Sequence, residues 1–168
     1  KSKYQAEQVV LAYPNSIILR TAWLFGSYRV NFVNRFLEDI KIKKNLSVVS
    51  DKFSSPTYAL DLAKLIAALV ARYEQKNPLT GIYHASNKGK TSWLGLAQEI
   101  LKILGRTDVQ LDPISLESLH LSAKRPLFSA LDVTKIEQNL SVSIPSWQNA
   151  LERYLGQEKK YELTSKLQ

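Results

Sequence analysis

From Tyr4 to Tyr13 apolar residues recur at Ala6, Val9, Val10 and Tyr13, the interval of a helix, and Pro14-Asn15 ends the pattern. An apolar run then extends from Ile17-Ile18-Leu19 through Trp23-Leu24-Phe25 to Gly26-Ser27. Its length, β-branched start and bounding turn residues predict a buried strand. A second helix should open near Asn31, with Phe32, Val33, Phe36, Leu37 and Ile40 on one face, and stop around Lys44-Asn45. Leu46 to Ser50 reads as a short strand, and Pro56 keeps the following stretch, Asp51 to Thr57, an irregular loop.

Tyr58 to Tyr73 carries the strongest helical pattern, with Leu62, Leu65, Ile66, Leu69 and Val70 at helical spacing. Gly81 to Ala85 predicts a brief strand. Thr91-Ser92 opens a helix from Trp93 to Leu104, which Gly105 terminates. A strand is expected near Val109-Gln110-Leu111, then a polar stretch to Arg125-Pro126. Helices should follow near Asp132 to Leu140 and Ser146 to Leu155, with a charged, frayed tail after Gly156. Strands alternating with helices, and more helix than strand, indicate an α/β fold. There is no internal repeat or low-complexity segment.

Composition narrows this picture. The 168 residues are 45% hydrophobic and 23% charged, as in one globular domain. No apolar run is long enough to span a bilayer, so no membrane partner is expected. The absence of cysteine excludes disulfides and thiolate metal sites and fits a reducing cytoplasm. The chain also lacks methionine, and with Lys1 at its start it reads as a fragment.

A net charge of +8 calls for an anionic partner. The basic residues are spread out, and the bunches at Lys41-Lys43-Lys44 and Lys159-Lys160 fall at helix ends or in the tail. Nucleic acid is therefore not expected. His84, on an apolar strand, reads as a hydrogen-bonded core histidine, and Trp93 and Trp147 as helix anchors in the core. Neither His84 nor His120 has carboxylates at ligand spacing, so no protein-built metal site is expected. There is also no G-x-x-G-x-x-G loop to hold dinucleotide phosphates.

Several blocks occur in one order: Ser2-Lys3, Ile18-Leu19-Arg20-Thr21-Ala22-Trp23-Leu24-Phe25-Gly26, Asn31-Phe32-Val33, Val48-Val49-Ser50-Asp51, and Ser55-Pro56-Thr57-Tyr58-Ala59. They continue through Gly81-Ile82-Tyr83-His84-Ala85-Ser86, Thr91-Ser92-Trp93, Arg125-Pro126 and Pro145-Ser146-Trp147. Together they cover nearly the whole chain. The ordered set resembles the carboxy-terminal half of the dTDP-4-dehydrorhamnose reductase family, extended short-chain dehydrogenases that reduce a keto sugar on a nucleotide with NADPH or NADH.

The resemblance implies the end of a Rossmann-like domain over residues 1–30, a substrate-binding lobe over 31–156 and a charged tail over 157–168, without the dinucleotide-binding half. Lys3 becomes the lysine of a Tyr-x-x-x-Lys motif whose tyrosine lies upstream of the chain. That lysine lowers the pKa of the phenol and binds the nicotinamide ribose.

Thr21, Ala22 and Trp23 would wall the cofactor and sugar. Asn31 and Phe32 would offer free helix-start amides to the diphosphate. Lys52 and Arg125 would meet the substrate phosphates. The expected partners are a dTDP-sugar and a second copy in a homodimer. Two departures are visible. Where the family shows Asp-Gln-x-Gly, this chain has Asp51-Lys52-Phe53-Ser54, and a serine needing positive φ would be strained. The 27–30 loop also lacks the family's glycines. These substitutions leave room for a catalytically silent sugar-nucleotide-binding homologue, and either way the fragment alone should be inactive.

Overall fold

The computed structural model describes residues 2–165, and of the last helix it describes side chains as far as Gln157. The chain begins with α1 (Ser2–Leu11), β1 (Ile17–Arg20), β2 (Leu24–Phe25), α2 (Phe32–Ile42), β3 (Asn45–Val49), β4 (Phe53–Ser54) and β5 (Thr57–Tyr58). It continues with α3 (Ala59–Glu74), β6 (Gly81–His84), β7 (Thr91–Ser92), α4 (Trp93–Leu104), β8 (Gln110–Ile114), a 3₁₀ turn (Glu117–Leu119), β9 (Phe128–Ser129), α5 (Thr134–Leu140) and α6 (Trp147–Ser165).

Strand pairings are short and mostly parallel. β1 pairs with β6, β2 with β5, and β3 with β8, each in parallel. β4 lies between antiparallel β7 and parallel β9. Two hydrophobic clusters sit on this frame. One gathers Phe25, Val33, Phe36, Ile40, Leu96, Ile100 and Tyr154, from β2, α2, α4 and α6. The other packs Leu65 and Leu69 of α3 and Ile136 of α5 against Tyr83 of β6.

The α4 segment shows how the sequence produces its element. Ser92 caps it by accepting a hydrogen bond from Gly95 N at 3.0 Å. Gly105 ends it with φ +65°, a left-handed cap that costs glycine nothing. Leu96 and Ile100, one turn apart, are fully buried, worth about 1.5–3 kcal/mol each.

Three expectations are corrected. The apolar run from Ile17 to Phe25 is two strands and not one, because Trp23 adopts φ +45° and breaks it. The 51–57 segment is not wholly irregular, since it contains β4 and begins β5. The expected frayed tail continues as α6 to Ser165, while residues 166–168 lie outside the described residues. Gly156 lowers helix propensity by only about 1 kcal/mol, which the buried turn of Ala150, Leu151, Tyr154 and Leu155 before it outweighs.

α1 buries no residue, and an ion pair joins it to β1, Arg20 Nε donating to Glu7 at 2.8 Å. The basic bunch at Lys41 to Lys44 pairs with neighbouring carboxylates: Lys41 with Glu38, Lys43 with Asp39, and Lys44 with Asp108. That matches its reading as a helix end.

One buried network fastens α6 to α3. Arg153 clasps Asp61 with two nitrogens, at 2.9 Å and 2.5 Å. Asn87 donates to the same carboxylate at 2.7 Å and accepts from Tyr58 N at 2.8 Å. Burial by itself would raise the Asp61 pKa, but the hydrogen bonds from Arg153 and Asn87, with the charges of Arg153 and Lys64, hold it below its ordinary value. A carboxyl depressed in the folded state contributes stability that is present above its unfolded pKa and lost as pH falls through the folded value. Arg153→Ala should therefore cost about 3–5 kcal/mol in urea unfolding at pH 7, since it strands a buried charge. Asp61→Asn should flatten the loss of stability below about pH 4, measured as the denaturation midpoint against pH.

Candidate functional site

The carboxyl ends of the parallel pair β1 and β6 lead into the corner Thr21-Ala22-Trp23, where an open α/β sheet places its ligands. A left-handed backbone is costly for a residue as bulky as tryptophan, so surrounding contacts must impose it. Thr57 makes two of these contacts: its Oγ1 donates to the Ala22 carbonyl at 2.6 Å and its amide to the Trp23 carbonyl at 3.0 Å. Thr57 is itself 1% exposed, so the clamp is shielded from water.

The indole of Trp23 meets the Phe32 ring edge-on at 5.8 Å and lies 6.2 Å from Trp93, while Phe32 and Trp93 are 5.8 Å apart. The three rings are partly buried, apolar on one side and open on the other. Trp93, expected as a core anchor at the start of α4, does pack against the core cluster, and its ring also joins this triad. Trp147, 6% exposed, is the buried anchor expected of it.

Asn31 is wholly committed to its loop. Its side chain accepts from Asn34 N at 3.2 Å and donates to the carbonyls of Gly26 and Arg29 at 2.8 Å and 2.9 Å. The backbone amides of Phe32 and Val33, at the first turn of α2, have no intrahelical acceptor.

Lys52 and Arg125 come together. Lys52 is buried, its Nζ donates to the Pro126 carbonyl at 2.7 Å, and burial, followed by the charge of Arg125, pushes its pKa down. Arg125 is exposed beside it. One donation leaves the Lys52 ammonium with further N–H groups for an acceptor. Ser54 carries no strain, for it lies in β4 and is not among the residues with positive φ. Its hydroxyl takes part in a small ladder with Ser129 at 3.2 Å.

Lys3 is exposed on α1, one turn before Glu7. No hydrogen bond or ring contact joins it to Thr21, Ala22 or Trp23 among the described residues. His84 Nδ1 lies 3.1 Å from the Asp132 carbonyl oxygen, at the end of β6. Among the described residues no group of three or more His, Cys, Asp or Glu side chains could hold a metal ion, and no helix is long and apolar enough to cross a membrane.

Sequence reasoning missed Thr57 as the clamp of the corner and Asn87 as the hub between Tyr58 and Asp61. The only signal for Thr57 was its place in the Ser-Pro-Thr block, and Asn87 gave none.

The structure therefore shows a clamped corner with three rings in mutual contact and, separately, two cations side by side at Lys52 and Arg125. The family model described as the RmlD substrate binding domain matches residues 1–160, and the chain belongs to that family. It is 35% identical over 159 residues to a dTDP-4-dehydrorhamnose reductase of Aggregatibacter actinomycetemcomitans, covering 90% of this chain and 54% of the relative. It is 35% identical over 156 residues to the spore coat polysaccharide biosynthesis protein SpsK of Bacillus subtilis, covering 92% and 52%. The chain thus spans about half the length of these relatives.

Among solved structures, a Bacillus anthracis dTDP-4-dehydrorhamnose reductase in complex with NADP superposes with a TM-score of 0.81 at 35% identity, over 93% of this chain and 53% of that one. A Clostridium acetobutylicum dTDP-4-dehydrorhamnose reductase gives 0.82 at 31%, over 94% and 54%. A Bacillus anthracis dTDP-glucose 4,6-dehydratase, 15% identical over 96% of this chain and 51% of its own, shares the fold at a TM-score of 0.74. The fold is therefore that of the carboxy-terminal part of an extended short-chain dehydrogenase.

Thr57→Val keeps the volume but removes the donor to the Ala22 carbonyl. It should cost about 1–3 kcal/mol of stability and shift tryptophan emission to the red as Trp23 loosens, both readable in one thermal melt followed by fluorescence.

Proposed function

We propose that this chain forms the sugar-nucleotide-binding half of an NADPH- or NADH-dependent dTDP-4-dehydrorhamnose reductase, reducing the 4-keto sugar to dTDP-rhamnose. The observation that carries the proposal is the Trp23 corner, strained, clamped by Thr57 and set at the carboxyl ends of parallel strands. Its relatives add support: three are named as dTDP-4-dehydrorhamnose reductases, and one of these is solved with NADP.

The donors available suit such ligands. Thr21 is exposed and Ala22 and Trp23 are half-buried, a flat wall against which a nicotinamide and a deoxyhexose can lie. The bound dinucleotide would supply the hydride that reduces the sugar's keto group. Lys3 would hold the nicotinamide ribose and, by its positive charge, ease loss of the proton from the motif tyrosine expected upstream. The half-free ammonium of Lys52 and the planar guanidinium of Arg125 would grip the diphosphate together, and the first-turn amides of α2 would add neutral donors. Trp23 and Phe32 would pack the sugar and exclude water.

In this assignment residues 31–156 provide mainly the substrate lobe, and residues 1–30 end the dinucleotide domain. The anionic partner behind the net charge of +8 is a nucleotide diphosphate and not nucleic acid. The protein works in the cytoplasm, where sugar nucleotides are made, and a homodimer is compatible with it.

With an upstream nucleotide-binding half of this family joined to the chain, NADPH oxidation should require the dTDP-4-keto sugar, and Lys3→Ala should lower kcat by ~100-fold or more. Arg125→Ala should raise KM by roughly 10-fold, the loss of one charge-assisted contact. The isolated 168-residue chain should show no turnover. A folded, complete protein that binds dTDP-sugar without oxidising NADPH would instead identify a silent binding homologue.

A further inference from the structure

A second cavity, of about 380 Å³, opens between α3, residues 142–145 and α6, and none of Trp23, Lys52 or Arg125 lines it. Its walls are largely apolar, with Leu65 and Ala68 on one side and Val142 and Ile144 on the other. Ser86 lies at its floor. That serine is 1% exposed, and its hydroxyl is the one buried side-chain polar atom without a hydrogen-bond partner among the described residues. An orphaned buried hydroxyl costs free energy, and a polar group placed in the cavity would supply the partner it lacks.

Charge narrows the ligand class. Lys64 and Arg153 both line the cavity, against the single carboxylate of Asp61. Arg153 is paired with Asp61 at 2.5 Å, whereas Lys64, exposed at the rim, acts on Asp61 by its charge alone and makes no salt bridge among the described residues. One positive charge is left over, next to a hydroxyl able to donate. Size narrows it again: an apolar cavity of ~150 Å³ accepts benzene, so this one has room for a ring bearing a short chain.

We infer that this cavity is a binding site for a small amphipathic carboxylate with an aromatic or branched apolar body, its anionic end toward Lys64 and Ser86. The site meets the Trp23 corner only through Thr57 and does not depend on the reductase assignment. The two share Thr57, which lines the cavity and holds the Ala22 and Trp23 carbonyls.

The probe series is 3-phenylpropionate, 3-phenylpropan-1-ol and 3-phenylpropylamine, which share a body and differ in charge, titrated into the full chain and followed by amide chemical shifts. Saturable binding of the acid is expected, with shifts centred on α3 and residues 142–145. It should be ~10-fold tighter than binding of the amine, as a charge-assisted contact provides. Ser86→Ala should raise the melting temperature by removing the orphan yet weaken the acid several-fold, a combination that a purely structural serine would not give. Ala68→Trp, which fills the space, should abolish binding, and Val142→Phe serves the same purpose if that variant does not fold. The proposal is overturned by absence of saturable binding to the wild type, by binding that survives a folded cavity-filling variant, or by the amine binding as tightly as the acid.

Discussion

Two hydrogen bonds from one threonine hold together the corner that ends β1. Thr57 reaches from the start of β5 to the carbonyls of Ala22 and Trp23, and with those bonds in place the chain can turn through a left-handed residue where glycine would be the ordinary choice. The turn ends β1, directs the indole toward Phe32 and Trp93, and starts β2, which returns alongside β5 in parallel. Without the clamp the apolar run from Ile17 to Phe25 has no reason to break, and the ring wall has no reason to form.

The same short segment serves three neighbours. Upstream of Thr57, Lys52 and Phe53 fasten the 126–129 stretch, Lys52 by its ammonium to Pro126 and Phe53 by backbone pairing with Phe128. Downstream, Tyr58 is tied through Asn87 to the buried Asp61–Arg153 pair that anchors α6. The Lys52–Arg125 cations, the ring triad and the last helix are thus set by one strand pair and its flanks. Lys52 finds a carbonyl for its charge, and Ser54, in extended backbone, needs no glycine freedom.

Much of the fold was legible from the sequence because helices announce themselves by spacing and caps. α2, α3 and α4 lie where the apolar intervals put them, with Asn31, Ser92 and Gly105 at their ends as cap chemistry predicts. Short strands were less legible. β2, β4, β5, β7 and β9 have two residues each, too few for any period to register, and they are held by neighbours distant in sequence. The break at Trp23 was hidden for the same reason, since its cause lies at Thr57. Site residues divide along the same line. Lys52 and Arg125 could be paired only by resemblance, as 73 positions separate them, and the role of Thr57 needed the tertiary structure.

The central claim is that the Trp23 corner faces a sugar nucleotide, and titration of the full chain with dTDP-rhamnose under tryptophan fluorescence tests it most directly. A saturating change in emission that disappears in a folded Trp23→Phe variant, while Trp93 and Trp147 remain, is the predicted result. Emission that does not respond, or that responds equally in Trp23→Phe, would contradict the assignment of this corner as the ligand wall.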